Sequence, residues 1–470
     1  MDDRKLKLMG NAPVRSAIIR LAVPTMLAAV VQILYNLTDT LFIGMLGDRD
    51  LVAAISLAIP LIFILIAFGN IFGIGAASYI SRQLGAGNFE EARHSNAVAA
   101  YTAAGGGAVL SAVMFIFREP LLSVVGTSAD TFAPTAGYFG ILIAFGPLLI
   151  LQITLAGLVR SEGATAKAMW GMIIGVGSNI VLDPIFIFSF GMGIEGAAWA
   201  TVIGNGLGTL FYLLHFAKGR TVLSIKASDF RPSARIYSQT LEIGIPAALS
   251  MLIMSVSFIV GNIFAAGYGD DVVAGFGINQ RINSTCIMLI IGLTQGYQPF
   301  AGYNFGAKHY HRLAMGLKIT MLYSTALSLV FLAAFQIYAR EIVSVFLQGD
   351  SKEIASSVEA GVKFLKAFSL GLPFIGVQLT FMVTFQATGK AIRALLLALG
   401  RQLLLFLPLL LILDNLFGFG GLIYAQPSAD VISTIAAALM SISFLANLRR
   451  LQGREDEEGQ GGLLSETSPG

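Results

Sequence analysis

Twelve apolar runs follow one another along this chain, each long enough to cross a bilayer as a helix at ~1.5 Å per residue. In hydrocarbon every backbone N–H and C=O must be paired within its own element. A chain built this way therefore folds as a bundle of membrane helices. The runs fall at 17–45, 51–79, 94–117, 133–157, 167–189, 194–217, 239–266, 273–300, 314–338, 359–386, 391–413 and 421–447. Gly, Pro or charged residues bound each one. Composition agrees: 56% of the 470 residues are hydrophobic and 12% charged, with a mean hydropathy of +0.77, where soluble chains are roughly a quarter charged. The net charge of +3 gives no sign of a nucleic-acid partner, and the single cysteine, Cys286, excludes an intramolecular disulfide.

Residues 1–16 are basic and lead into the first span without a small-residue cleavage site, so they read as a retained cytoplasmic segment. Residues 449–470 are polar and Gly-rich and read as a disordered cytoplasmic tail. Lys and Arg concentrate on the side of the N-terminus, at Arg15, Arg82, Arg93, Lys218, Arg220, Lys308 and Arg449 among others. The opposite joins hold few: Arg49, Arg118, Arg340, Lys352, Lys363 and Lys366. That asymmetry predicts both termini in the cytoplasm.

The chain also repeats itself. Leu21-Ala-Val-Pro24 returns as Ile243-Gly-Ile-Pro246, and Leu84-Gly-Ala86 returns as Phe305-Gly-Ala307. Gly193-Ile-Glu-Gly196 returns as Gly418-Phe-Gly-Gly421, always at an offset of roughly 220 residues. Six spans per half is an even number, so the halves start on the same side and are related by an axis along the membrane normal. The expected architecture is an all-α membrane protein with twelve transmembrane helices in two pseudo-symmetric six-helix bundles. Its lobes are 17–217 and 239–448, joined by a cytoplasmic linker at 218–238. Two such bundles facing across a cleft suit alternating access; a duplicated channel is the plainer alternative. Pro24, Pro184, Pro246, Pro373 and Pro408 each remove a helical hydrogen bond and permit bending.

Within the first half, a few polar side chains lie deep in their spans. Gln32, Tyr35 or Asn36, and Asp39 recur at helical spacing and form one polar face of the first span. Asp39 lies about two helical turns before Gly47, Asp183 about two before Gly191, and Thr201 about two after Gly193. All are therefore at one depth. Asn179 precedes Asp183 by one turn on the same face. Two carboxylates, an amide and a hydroxyl suit a hard cation, and two carboxylates that disfavour each other's charge equally suit a proton. The second-half counterparts of Asp39, Asp183 and Thr201 are Gly261, Leu407 and Gln426, which carry no acid. That half offers Asn279-Gln280-Arg281-Ile-Asn283 and Gln295-Gly-Tyr297-Gln298 instead, and Asp430 near Pro427 reads as the cap of a helix break. No phosphate loop, Ser/His/Asp grouping or Cys pair is present, and His309-x-His311 is too little for a metal centre. The chain does not read as an enzyme.

With its twelve spans and six-plus-six repeat, the chain resembles the MATE multidrug and toxin extrusion family. The resemblance rests on Pro24…Asp39, Ser81-Arg-Gln-Leu-Gly-Ala-Gly-Asn88 and Gly163…Asn179-Ile-Val-Leu-Asp183-Pro184. Gly193-Ile-Glu-Gly-Ala-Ala-Trp-Ala-Thr201 and Gly292-Leu-Thr-Gln-Gly-Tyr-Gln-Pro299 extend it. It implies the prokaryotic branch in which Asp39, Asn179, Asp183 and Thr201 surround a proton or, as metal ligands, Na+. Gln32, Tyr35 and Tyr138 would line the first-half cavity, with Asn36, Gln280 and Gln298 as further substrate contacts. The implied activity is H+- or Na+-coupled export of amphipathic organic cations by a monomer in the lipid bilayer, with no cofactor besides the coupling ion. Flippases for lipid-linked saccharides share the architecture and are the second reading. The acids that another branch carries on its seventh and tenth helices are missing here.

Overall fold

The computed structural model describes residues 3–219, 221–346 and 352–466; Arg220 and the side chains of Asp3, Arg49, Lys352, Glu353 and residues 458–466 lie outside it. Among the described residues there is no strand. A short α1 (Asp3–Gly10) precedes the first half, which comprises α2 (Val14–Gly44), α3 (Arg49–Gly85), α4 (Phe89–Ile116), a short α5 (Arg118–Val124), α6 (Ala129–Ala144), α7 (Gly146–Ser161), α8 (Thr165–Pro184) and α9 (Gly193–Ala217). The second half comprises α10 (Ala234–Ala266), α11 (Asp270–Gly306), α12 (Tyr310–Ser344), α13 (Lys352–Ser369), α14 (Leu372–Ala387), α15 (Ala391–Leu399), α16 (Leu407–Phe417) and α17 (Phe419–Glu466).

By length and composition, nine helices are fit to cross a membrane among the described residues, and two bent pairs raise the number to eleven. The twelfth is α11, whose polar residues Asn279, Asn283, Thr294, Gln298 and Asn304 are all buried. Both bends have a local cause. The pair α6–α7 turns by 54° at Phe145-Gly146-Pro147, and residues 354–369 turn by 48° onto α14 at Leu370-Gly371-Leu372-Pro373. The residue before a proline avoids the helical region, and glycine removes the cost of departing from it. Pro24 and Pro246 sit inside α2 and α10, which continue past them. Pro184 and Pro408 instead adjoin wide π-helical segments, Ile185–Ser189 and Gly400–Phe406.

The repeat is visible in the backbone. The fourth and tenth spans are the bent ones, and the fifth and eleventh carry the π segments. Gly193 and Gly418 open the sixth and twelfth spans with φ of 57° and 56°, left-handed values that glycine adopts without strain.

The halves meet at the end that carries both termini. Gly244 packs on the carbonyl of Ile71, Gly75 on that of Thr240, Gly85 on that of Tyr303 and Gly306 on that of Arg82, all without room for a Cβ. The start of α2 (Ala17, Ile18, Leu21) packs into the second half's core beside Tyr297, Phe300 and Phe385. The stretch 449–466 departs from the expected tail, because α17 runs on to Glu466. The Glu455 carboxylate accepts the N–H groups of Tyr310 and His311 at 2.8 and 3.2 Å. Both donors lie in the first turn of α12, where a carboxylate also meets the positive end of the helix.

Candidate functional site

The polar set at one depth in the first half converges in space. Asn179 and Asp183 lie one turn apart on α8 and face Thr201 on α9. The two helices approach closely because Gly175 and Gly204 meet: a Cβ on Gly204 would stand 2.5 Å from the Gly175 carbonyl oxygen and 3.1 Å from Asn179 Cβ. Asn179 donates Nδ2 to Asp183 Oδ1 and to Thr201 Oγ1, each at 3.3 Å. Asn179 is 3% exposed and Asp183 0%. Asp183 Oδ2 and Asn179 Oδ1 are buried with no hydrogen-bond partner. From α2, Tyr35 reaches hydrogen-bonding range of Thr201 and stands in electrostatic range of Asp39 and Asp183. The two carboxylates are likewise in range of each other. Buried Tyr138 on α6 completes the group beside Tyr35 and both acids.

Gln32 and Asn36 are bonded to each other at 3.3 Å on an exposed stretch of α2, one turn toward the N-terminus. No hydrogen bond among the described residues joins Gln280 or Gln298 to this cluster. Gln280 is half-buried, and buried Gln298 keeps Nε2 unpaired. Gln152 on α7 is an addition from the structure, its amide lying where side chains on Gly175 and Gly208 would otherwise be.

Sequence reading also missed two charged clusters. Asp430 caps no helix break, since α17 passes through Pro427. Its Oδ1 instead accepts from Arg401 Nε at 2.7 Å and Gln426 Nε2 at 3.0 Å. Both ions were visible as residues inside spans, but nothing in the sequence pairs them. At the terminus-bearing end, Glu162 (1% exposed) binds Lys5 Nζ at 2.8 Å, His215 Nε2 at 2.9 Å and the Thr221 hydroxyl. Burial alone would raise its pKa, but these three contacts outweigh burial and hold the carboxyl below the ordinary carboxylate range.

Among the described residues no three His, Cys, Asp or Glu side chains gather as a metal centre. The first-half cluster offers a different donor set, with carboxylate, amide and hydroxyl oxygens that suit a hard monovalent cation or a proton. The unpaired Asp183 and Asn179 oxygens are acceptors free to take one.

Comparison with known proteins accords with this layout. The MatE family model matches residues 24–185 and 246–412, once in each half. Multidrug export protein MepA of Staphylococcus aureus is 31% identical over 440 residues, covering 94% of this chain and 96% of that protein. A solved outward-facing multidrug-resistance MATE family transporter of the MOP superfamily superposes with a TM-score of 0.89 at 25% identity, covering 95% of this chain and 99% of that one. A MOP superfamily transporter from Pyrococcus furiosus, described as having a binding pocket of reverse polarity, gives 0.90 at 26% identity with the same coverage. A repeated helical bundle, a family match in both halves and likeness along nearly the whole chain lead to one conclusion: this chain belongs to the MatE family, whose members are transporters and not enzymes.

Proposed function

We propose that the protein exports amphipathic organic cations from the cytoplasm in exchange for H+ or Na+. The observation that carries this reading is that buried Asn179, hydrogen-bonded to Asp183 and Thr201, and buried Asp183 keep unpaired acceptor oxygens within electrostatic range of half-buried Asp39. Two carboxylates without a cationic side-chain partner are costly at membrane depth, and a bound cation or proton removes that cost. Export of drugs by similar proteins supports the choice of cargo. So does an anionic cavity wall bearing the aromatic groups Tyr35 and Tyr138.

The moving bodies are the lobes 17–217 and 239–448, with 218–238 as their linker. The protein lies in the cytoplasmic membrane as a monomer, both termini inside. Lys and Arg bias supports this orientation, and both terminal segments pack on the start of α12: Arg312 donates to the carbonyls of Met9 and Ala12, and Glu455 accepts from Tyr310. The glycine seam closes that end, so the cleft faces outward in this state. Ion loading at Asp39 and Asp183 then favours the inward-facing state. Because α2 touches both the ion cluster and the second half's core, it relays occupancy to the seam.

The test is efflux of a lipophilic cation dye from proteoliposomes under separately imposed proton and sodium gradients. Uphill efflux driven by either gradient is the expected result. Efflux that never exceeds equilibration under both gradients would mean a passive channel.

A further inference from the structure

The second half holds a buried polar cluster of its own, at the contact that corresponds to the first half's ion cluster. In the first half, the fifth and sixth spans hold Asn179, Asp183 and Thr201 between them. In the second, the eleventh and twelfth spans hold Arg401, Gln426 and Asp430. The matching corners at Gly193 and Gly418 set the register between α9 and α17. In that register Gln426 stands where Thr201 does, and Asp430 one turn further along, where the first half has Asn205.

The two clusters differ in how their charge is met. No ion pair joins Asp39 or Asp183 to a basic side chain among the described residues. Asp430, 0% exposed, is matched by the Arg401 guanidinium, whose side chain is 11% exposed. Gln426 donates to the same carboxylate oxygen, and no further charged side chain pairs with Asp430 among the described residues. The other oxygen, Oδ2, lies against Gly371 at the bend before α14 and has no hydrogen-bond partner. Of the charged groups on neighbouring helices, Arg393 is engaged with Met440 and Ser443, Lys363 with Glu359 and Asp414 with Tyr268, while Lys366 is exposed. A buried carboxylate needs a counter-charge, which a side chain or a mobile cation can supply. A guanidinium does not release its proton under any condition a cell offers, so this counter-charge is permanent.

We propose that Arg401 is a built-in cation of the second half: toward Asp430 it fills the place that a transported ion fills toward Asp39 and Asp183, and so confines ion coupling to the first half. This rests on the ion-coupled reading given above. It also assigns the halves different tasks. The π segment that carries Arg401 and the bend at Gly371 are tied through Asp430 whatever the gradient, while α2 and α8 respond to it.

The test uses the purified full-length protein in detergent, with Na+ and H+ as probes. Cation uptake is counted by calorimetric titration and checked by melting with and without NaCl at several pH values. Arg401→Gln should gain a cation that the wild type does not bind, and its melting temperature should rise by several degrees on Na+ addition or mild acidification. Arg401→Gln combined with Asp430→Asn should lose that gain and return to the wild-type count. An Arg401→Gln protein that takes up no extra cation overturns the proposal. So does a double variant that binds fewer cations than the wild type, because Asp430 would then be a native ion ligand. If the single variant does not fold, the double variant, which removes both charges together, still decides. Asp183→Asn run in parallel separates the two claims. If it keeps the full wild-type uptake, the first-half site is wrong, whereas the Arg401 pair reports on the second half alone.

Discussion

Gly244 lies directly on the carbonyl oxygen of Ile71, across the boundary between the two halves, with no space for a side chain. Gly75 repeats the arrangement against Thr240 from the other direction. Helices α3 and α10 can approach this closely only because both positions lack a Cβ. The contact belongs to the state closed at the terminus-bearing end.

Gly244→Val should therefore weaken that closed state. Overpacking a tight contact costs about 1–3 kcal/mol, or roughly a five- to 150-fold shift between two conformations. Spin labels at exposed Lys167 and Met315, one in each half at that end, should show a longer distance population in the variant than in the wild type. An unchanged distance distribution would mean that the seam does not gate.

Glu162→Gln removes the buried partner of Lys5 and His215 and frees α1 from the corner between α7 and α8. Breaking a buried ion pair from one side costs about 3–5 kcal/mol. The folded-state pKa of this carboxyl lies below its unfolded value, so its contribution is present above the ordinary carboxylate range and lost as pH falls through the folded value. Melting temperatures of wild type and variant should differ widely near neutrality and converge in acid. Parallel curves at every pH would contradict this account.

Tyr138→Ala opens the cavity wall beside Asp39 and Asp183 without touching a carboxylate. Affinity for at least some dyes should change by about tenfold, the effect of ~1.4 kcal/mol from one aromatic contact, while cation binding changes little. The reverse pattern, altered cation affinity with every dye unaffected, would remove Tyr138 from the cargo site.

How far each feature was legible in the sequence depended on the range of its interactions. Asn179 and Asp183 share a helix face by spacing alone, and Thr201 matched their depth, so the cluster could be read before the helices were packed. The repeat was readable because Gly193 and Gly418 serve the same backbone corner. The Arg401–Asp430 pair depends on how the eleventh span packs on the twelfth, which one-dimensional spacing does not specify. The terminal helix was hidden for a similar reason. Its Gly-rich acidic composition reads as disorder, and its ordering contact, Glu455 on the start of α12, is distant in sequence. Pro147 was not among the prolines expected to bend a span, and only the structure shows that the fourth span turns at Gly146-Pro147 with both ends still helical.

The central claim is that the cluster of Asp39 and Asp183 converts an ion gradient into export. Asp39→Asn and Asp183→Asn each imitate the loaded, uncharged state and remove the step that a gradient drives. The decisive measurement is uphill dye export by the two single variants and the double variant in proteoliposomes, under the gradient that drives the wild type. The account predicts dye binding retained, gradient-driven export abolished in each single variant, and no further loss in the double, because the two residues form one coupled site. Full uphill export by the double variant would contradict it.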